Sequence, residues 1–288
     1  MNTEAVLQIF SERLAEFFSL SWNNYFWWLT GLSLFFWVLE IIVPWRKDQS
    51  LFRKDFWLDA FYMYFNMFIL PMIALSFVSA LVNDWFLTVL ANVGVSRLDI
   101  INLSSLPATI QLIILFLFRD FIQYNIHRLL HRIPWMWEFH KVHHSVKQMG
   151  FAAHLRYHWV EGVFYGILQY IPLAILGFSV SDFMIVYVFS LAVGHSNHSN
   201  YYLPLGKLKY LFNNPQMHIW HHVRELPGKY GVNFGMTLSV WDYIFRTAYV
   251  PADGKDKALG FSGDDHFPKK FTGQFLYPFY KNPAKMSG

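Results

Sequence analysis

Apolar residues in this chain gather in long runs, and a helix crossing ~30 Å of hydrocarbon at 1.5 Å per residue needs about twenty of them. Tyr25–Pro44 (YFWWLTGLSLFFWVLEIIVP) is the clearest run. Phe56–Val82 is a second, with Asn66 and Pro71 inside it, and Leu106–Ile126 is a third, apolar as far as Arg119 and Asp120. Trp159–Gly194 is apolar but broken near Gly177–Asp182, which predicts a helical hairpin, either spanning or re-entrant. Residues 1–24 read differently. Leu7, Phe10, Leu14, Phe17 and Phe18 recur at helical spacing, the pattern of an amphipathic helix on a membrane face or of an ordinary packed first helix. Glu4, Glu12 and Glu16 stand where a signal peptide would be basic, and no small-residue cleavage site follows. From Pro251 the chain is rich in Gly, Lys, Asp and Pro, so 251–288 is expected to be an irregular tail. These patterns predict an all-α, multi-pass membrane protein with about four to five spanning or re-entrant helices, 25–126 forming its first membrane part.

Composition agrees. Charged residues make up 15% of the chain, against roughly 25% in soluble domains, and the mean hydropathy is +0.26. The absence of cysteine excludes disulfides, thiolate zinc sites, cysteine-held iron–sulfur clusters and a cysteine nucleophile. The net charge of +4 is unevenly placed. Arg46, Lys47, Arg53 and Lys54 follow the first run; five Lys or Arg lie in 127–158 and eleven from Gly206 onward, while 83–105 holds only Arg97. The basic segments fall on one predicted side, which the positive-inside rule makes cytoplasmic. Anionic lipid headgroups suit this charge better than nucleic acid, which is not expected as a partner.

The histidines change the picture most. Twelve of thirteen lie between His127 and His222, and none precedes His127. Three groups have ligand spacing: His127-Arg-Leu-Leu-His131, His140-Lys-Val-His143-His144 and His218-Ile-Trp-His221-His222. Residues three and four apart share a helix face, so each box is expected to point two or three imidazoles the same way. Eight or more imidazoles and no sulfur suit iron, zinc, copper or nickel, and the count exceeds one tetrahedral site. Two irons with four or five nitrogens each would keep open positions for O2 and a substrate carbon. His195, at the predicted cytoplasmic end of the hairpin, is the candidate ninth ligand; His154, His158 and His198 are undecided, and His266 reads as a surface residue. Asp120, Tyr124, His127 and His131 form one helical stripe, so Asp120 is a candidate acceptor for a ligand N–H, or else an ion-pair partner of Arg119. Glu138, Glu161 and Asp242 are further carboxylates near the cluster, and Trp135, Met136, Trp137, Phe139 and Phe151 are candidates for an apolar lining over the metals or for interfacial anchoring.

HxxxH, HxxHH and a later HxxHH resemble the boxes of the fatty acid hydroxylase and sterol desaturase superfamily. The similarity runs over roughly 120–250 and includes Asp120-x3-Tyr124-x2-His127-Arg128, Leu155-Arg156-x-His158-x2-Glu161, His195-Ser-Asn197, Asn214-Pro-x2-His218 and Asn233-Phe-Gly-x-Thr-Leu-x2-Trp241-Asp242-x2-Phe245. Two departures stand out: Arg246-Thr247 where relatives commonly have Gly-Thr, and His158-Trp159 where they have His-Pro. The resemblance implies a catalytic domain over 120–250 that includes the hairpin 159–194 and forms a cytoplasmic helical cap. It implies a non-haem di-iron centre using O2 and two electrons to hydroxylate or desaturate a lipid C–H bond. His127, His131, His140, His143, His144, His218, His221 and His222 would be its catalytic ligands, with His195 beside them.

Nothing in the chain supplies electrons: no glycine-rich dinucleotide fingerprint and no His-Pro-Gly-Gly of a fused cytochrome b5 are present. A separate reductase, ferredoxin or cytochrome b5-type donor is therefore expected, with a membrane lipid as substrate: a sterol or hopanoid, an alkyl ether, a sphingolipid or a fatty acyl chain. Hydroxylation is favoured over desaturation by the same centre, and a bacterial inner membrane over the endoplasmic reticulum. A membrane metal or haem carrier is the rival from another class; a hydrolase lacks both HExxH and G-x-S-x-G.

Overall fold

The computed structural model describes residues 18–71, 103, 106–175 and 180–280. Most of the expected amphipathic segment at the N-terminus, the second run beyond Pro71, the loop carrying Arg97, residues 176–179 of the hairpin tip and 281–288 lie outside them. The described residues form helices, tight turns and three isolated β-bridges, with no strand among them.

The first run becomes α1, Tyr25–Ile42. Asn24 caps it by accepting the Phe26 N–H at 3.0 Å, which satisfies one of the free donors of the first turn. Helix α2, Phe56–Tyr64, continues into one wide π-turn at Phe65–Ile69. Asn66 sits in that turn and donates to the carbonyls of Leu155 and Tyr157 at 3.1 and 2.9 Å, so the polar residue inside the second run ties the membrane part to the histidine layer. The third run becomes α3, Ala108–Arg132, an unbroken 25-residue helix that carries the apolar run into His127 and His131. Ile133 alone separates it from α4, Pro134–His144, where Pro134 occupies the first turn, a position that needs no N–H. The hairpin is α5, Trp159–Ile175, and α6, Val180–His198, so its second arm runs one turn further than the apolar pattern suggests. Short helices follow: α7 at Pro215–His218, tightened into a 3-10 turn at Ile219–His221, then α8 at Val240–Ile244 and α9 at Phe271–Leu276.

Two described helices, α1 and α3, are long and apolar enough to cross a membrane. Both leave apolar side chains outside the fold, among them Phe35, Val38 and Ile42 on α1 and Ile113, Leu117 and Phe118 on α3. A core helix of a soluble protein would bury these residues.

Buried clusters flank the histidines. Leu29, Phe36, Phe56, Met63, Leu155 and Leu191 join α1, α2 and α6 on one side, and Trp45, Val146, Met149, Ile219, Trp220 and Val223 pack on another. Arg53 and Arg156 share Asp59 at 2.6 and 3.0 Å in full burial, and Arg156 also donates to Ser145 Oγ at 2.9 Å. Leaving one of these charges unpaired would be costly, so the trio fixes the turn that carries the Arg156 carbonyl. The described residues after Pro251 are largely irregular, and Phe261, Phe267 and Tyr277 bury themselves against Tyr62 and Val142.

Candidate metal centre

Nine buried histidines form two adjoining groups. His127 and His131 of α3, His140 and His144 of α4, and His221 form the first; His143 of α4, His198 of α6, and His218 and His222 of the α7 turn form the second. Within each group one nitrogen per ring lies within 4.8 Å of all the others. Both HxxHH boxes are split between the groups, each sending two imidazoles to one group and the third to the other. At 3.6 residues per turn the i+3 and i+4 side chains diverge by about 100°. His140 and His144 therefore serve one group and His143 the other, and the last box repeats the split with His221 as the odd member.

Facing nitrogens are close. Nε2 of His127 lies 3.2 Å from Nε2 of His140, and Nε2 of His144 lies 3.1 Å from Nε2 of His221. In the second group the Nε2 distances are 3.4 Å for His198 to His143, 3.1 Å for His218 to His198 and 3.1 Å for His222 to His218. Metal–imidazole bonds of about 2.0–2.1 Å put adjacent donor nitrogens roughly 3.0–3.4 Å apart.

The opposite ring nitrogens set the tautomer of five of these rings. His127 Nδ1 donates to the Phe234 carbonyl at 2.7 Å, His143 Nδ1 to Arg156 at 3.1 Å, His198 Nδ1 to Gly194 at 2.8 Å and His221 Nδ1 to Val232 at 2.8 Å. His140 Nδ1 donates to Glu161 Oε2 at 3.0 Å. A carbonyl only accepts, so each of those Nδ1 atoms carries the proton and Nε2 is left as a lone pair. Burial, with neighbouring histidines adding to it in most cases, holds the imidazoles of His140, His144, His218, His221 and His222 well below their usual range. Burial also brings His143 down to about 3. Neutral rings that aim lone pairs at one another repel unless a cation lies between them. His131 Nε2, buried in the first group with no hydrogen-bond partner, fits the same reading. The donor set thus suits two imidazole-bound metal ions.

The eight boxed histidines all belong to these groups, and His195 to neither. Its Nε2 lies 3.1 Å from Ser33 Oγ and its Nδ1 3.0 Å from His154 Nδ1, so α1 and the Phe151–Leu155 turn occupy both ring nitrogens. His198, three residues on, completes the second group. His154 packs over Gly194, where a Cβ would come within 2.1 Å of its ring. His158 donates from Nε2 to the Phe275 carbonyl at 2.9 Å and accepts the Val160 N–H at Nδ1, so neither nitrogen is free; His266 is exposed. Asp120 reaches no histidine. It accepts from Thr237 N, Leu238 N and Trp241 Nε1 at 3.3, 3.2 and 2.9 Å, and so anchors the loop that carries the acceptor carbonyls. Asp242 does the same from the other end, taking the Phe234 and Gly235 N–H groups at 2.8 Å each. Gly235 has no room for a Cβ, which would lie 2.4 Å from the Leu238 carbonyl oxygen. Among the expected lining residues, Trp137 packs on His131 and His144 with ring centroids at 4.9 and 5.1 Å, while Trp135 is exposed and Phe139 lies on His158. Phe234, which the sequence marks only as part of the Asn233-Phe-Gly signature, covers His127, His131 and His221.

A cavity of about 330 Å³ opens on His127, His140 and His143 and runs between α3, α5 and α6. It is lined beyond the histidines by Tyr25, Tyr165, Tyr187, Arg119, Gln123 and Gln169, among others.

Two adjoining groups of buried histidines in a helical protein with two candidate membrane helices make a candidate metal centre built from imidazole alone. Residues 112–247 match the fatty acid hydroxylase family model. An ornithine lipid hydroxylase from Rhizobium tropici is 29% identical over 179 residues, 62% of this chain and 53% of that protein. An alkylglycerol monooxygenase from Xenopus tropicalis is 33% identical over 50% of this chain and 31% of its own length, and methylsterol monooxygenase 1-2 from Arabidopsis thaliana is 29% identical over 50% and 48%. The chain spans about half the length, or less, of these curated relatives. No solved structure matches. The match over 112–247 and these relatives support the fatty acid hydroxylase and sterol desaturase superfamily.

Proposed function

We propose that this chain is an O2-dependent, non-haem di-iron hydroxylase of a membrane lipid. One observation carries the reading: two sets of buried imidazoles bring Nε2 atoms to 3.1–3.4 Å beside a cavity. In each set one pair, His127 with His140 and His143 with His198, has its Nδ1 protons engaged elsewhere and so faces lone pair to lone pair. His127, His131, His140, His144 and His221 would hold one iron, and His143, His198, His218 and His222 the other, His198 standing where the sequence suggested His195. Bound iron would supply two-electron activation of O2, the balance being R–H + O2 + 2 e⁻ + 2 H⁺ → R–OH + H2O. The chain's own part is to orient and to exclude water. Backbone carbonyls and Glu161 fix the ring tautomers, Trp137 and Phe234 cover the histidines, and the cavity receives the substrate.

Relatives named as a lipid hydroxylase and lipid monooxygenases support hydroxylation over desaturation. They leave sterol, ether-lipid, sphingolipid and acyl substrates within the class. A carrier must release its metal, whereas buried rings, five of them locked by Nδ1 bonds, suit a resident ion. Electrons would come from a separate reductase, ferredoxin or cytochrome b5-type protein. In the proposed arrangement 1–24 lies at the membrane face, 25–126 spans, 120–250 forms the catalytic cap with the hairpin 159–194, and 251–288 follows as a cytoplasmic segment. Four to five membrane helices would leave the histidines on the cytoplasmic side of a bacterial inner membrane.

Detergent-purified, iron-loaded protein given a chemical reductant and a total lipid extract is expected to consume O2 and yield lipids heavier by one oxygen, and His143→Ala to abolish both. Stoichiometric zinc with no O2 uptake under any lipid would overturn the reading.

A further inference from the structure

Arg119 is the one charged group of the cavity that the metal centre does not explain. It lies on α3 eight residues, about 12 Å of helix, before His127, and is only 7% exposed. Its guanidinium donates to Ser190 Oγ at 2.7 Å and sits 4.6 Å from the Tyr187 ring centre. Among the described residues, no carboxylate comes within 4.0 Å of it. The acids nearby are spoken for: Asp120 accepts from Thr237, Leu238 and Trp241, and Glu161 accepts from His140. A buried guanidinium touched only by a hydroxyl and a ring face, with the Asp120 charge nearby but bonded to other groups, has no carboxylate in direct contact, a position that a bound anion would improve. The wall beside it is polar as well, for Gln123 and Gln169 bond each other across the same cavity. An apolar sleeve for the middle of a long acyl chain would need none of these groups. The volume of about 330 Å³ lies at the small end of ligand pockets, room for a headgroup and a few carbons but not for a two-chain lipid.

We propose that the cavity takes the anionic end of an amphipathic lipid, a carboxylate or phosphate paired with Arg119, so that the carbon presented to His127, His140 and His143 lies close to that anion and far from the tail end. This rests on the hydroxylase reading for the word carbon, and on the cavity alone for the anion.

The test is equilibrium binding of radiolabelled palmitate, hexadecyl phosphate and hexadecanol to the purified protein in non-ionic detergent, without reductant, so that binding is read apart from turnover. At least one anion is expected to bind about tenfold or more tightly than hexadecanol, the worth of a hydrogen bond to a charged group. Preference for palmitate assigns a carboxylate, and preference for hexadecyl phosphate a phosphate. Arg119→Gln should erase the preference with hexadecanol binding unchanged, and Arg119→Lys should keep part of it, which guards against a variant that merely misfolds. Equal binding of alcohol and anions by the native protein overturns the proposal, as does an Arg119→Gln protein that weakens all three ligands alike. In turnover, hydroxylation mapped to the methyl end of the better anion overturns the placement of the carbon. Anion preference without oxygenation of any lipid would sink the hydroxylase reading alone.

Discussion

At the residue scale, His127, His140, His143, His198 and His221 each do two jobs, aiming Nε2 inward and holding the ring by Nδ1. Glu161 illustrates the second, because its carboxylate is the partner of His140 Nδ1. Glu161→Ala is expected to weaken metal retention about 10–100-fold, the usual worth of a group that orients a ligand, while Glu161→Gln, which can still accept, should lose less; iron retained against a chelator measures both. The lowered imidazole pKa values set a pH dependence. His143 titrates at about 3 in the folded chain, against about 6.5 when unfolded. Below 6.5 the unfolded chain binds more protons, so stability falls with falling pH across that window, by up to about 1.4 kcal/mol per pH unit for each such group. Thermal unfolding of metal-free protein should therefore shift to lower temperature between pH 7 and 5, and a flat profile would contradict neutral burial. Histidine spacing made the eight boxed residues legible in the sequence. The choice of His198 over His195 was not, because both sit in the last turn of α6 and only Ser33 and His154, brought in from other elements, occupy His195.

At the scale of elements, apolar run length located α1, α3 and the two arms of the hairpin to within a few residues, since a run of about twenty has few other uses. Two things escaped it. The HxxHH boxes turned out to bridge two groups, a consequence of the 100° step per residue that a one-face reading overlooks. The acceptors of Val232 and Phe234 are backbone carbonyls, which carry no residue signature; only Asn233, Gly235 and Asp242 hinted that the loop was fixed. The proposed orientation puts the C-terminus in the cytoplasm. A reporter fused after Gly288 should be active in the cytoplasm, and activity confined to the other side of the membrane would reverse the orientation.

At the scale of the molecule, the membrane part and the histidine cap are tied through α3, which runs from exposed apolar residues into His127 and His131, and through Asn66 of α2. The cavity runs between α3, α5 and α6 and ends at the histidines, so in the proposed reading the route of a lipid and the site of oxidation would share one wall. That arrangement has a purpose only if two metal ions sit in the two groups. Metal content of the native chain, His195→Ala and His198→Ala, purified side by side after iron supplementation, tests this most directly. The account predicts two irons per chain in the native protein and in His195→Ala, and loss of at least one in His198→Ala. One metal per chain in the native protein, or iron lost from His195→Ala but kept by His198→Ala, would contradict it.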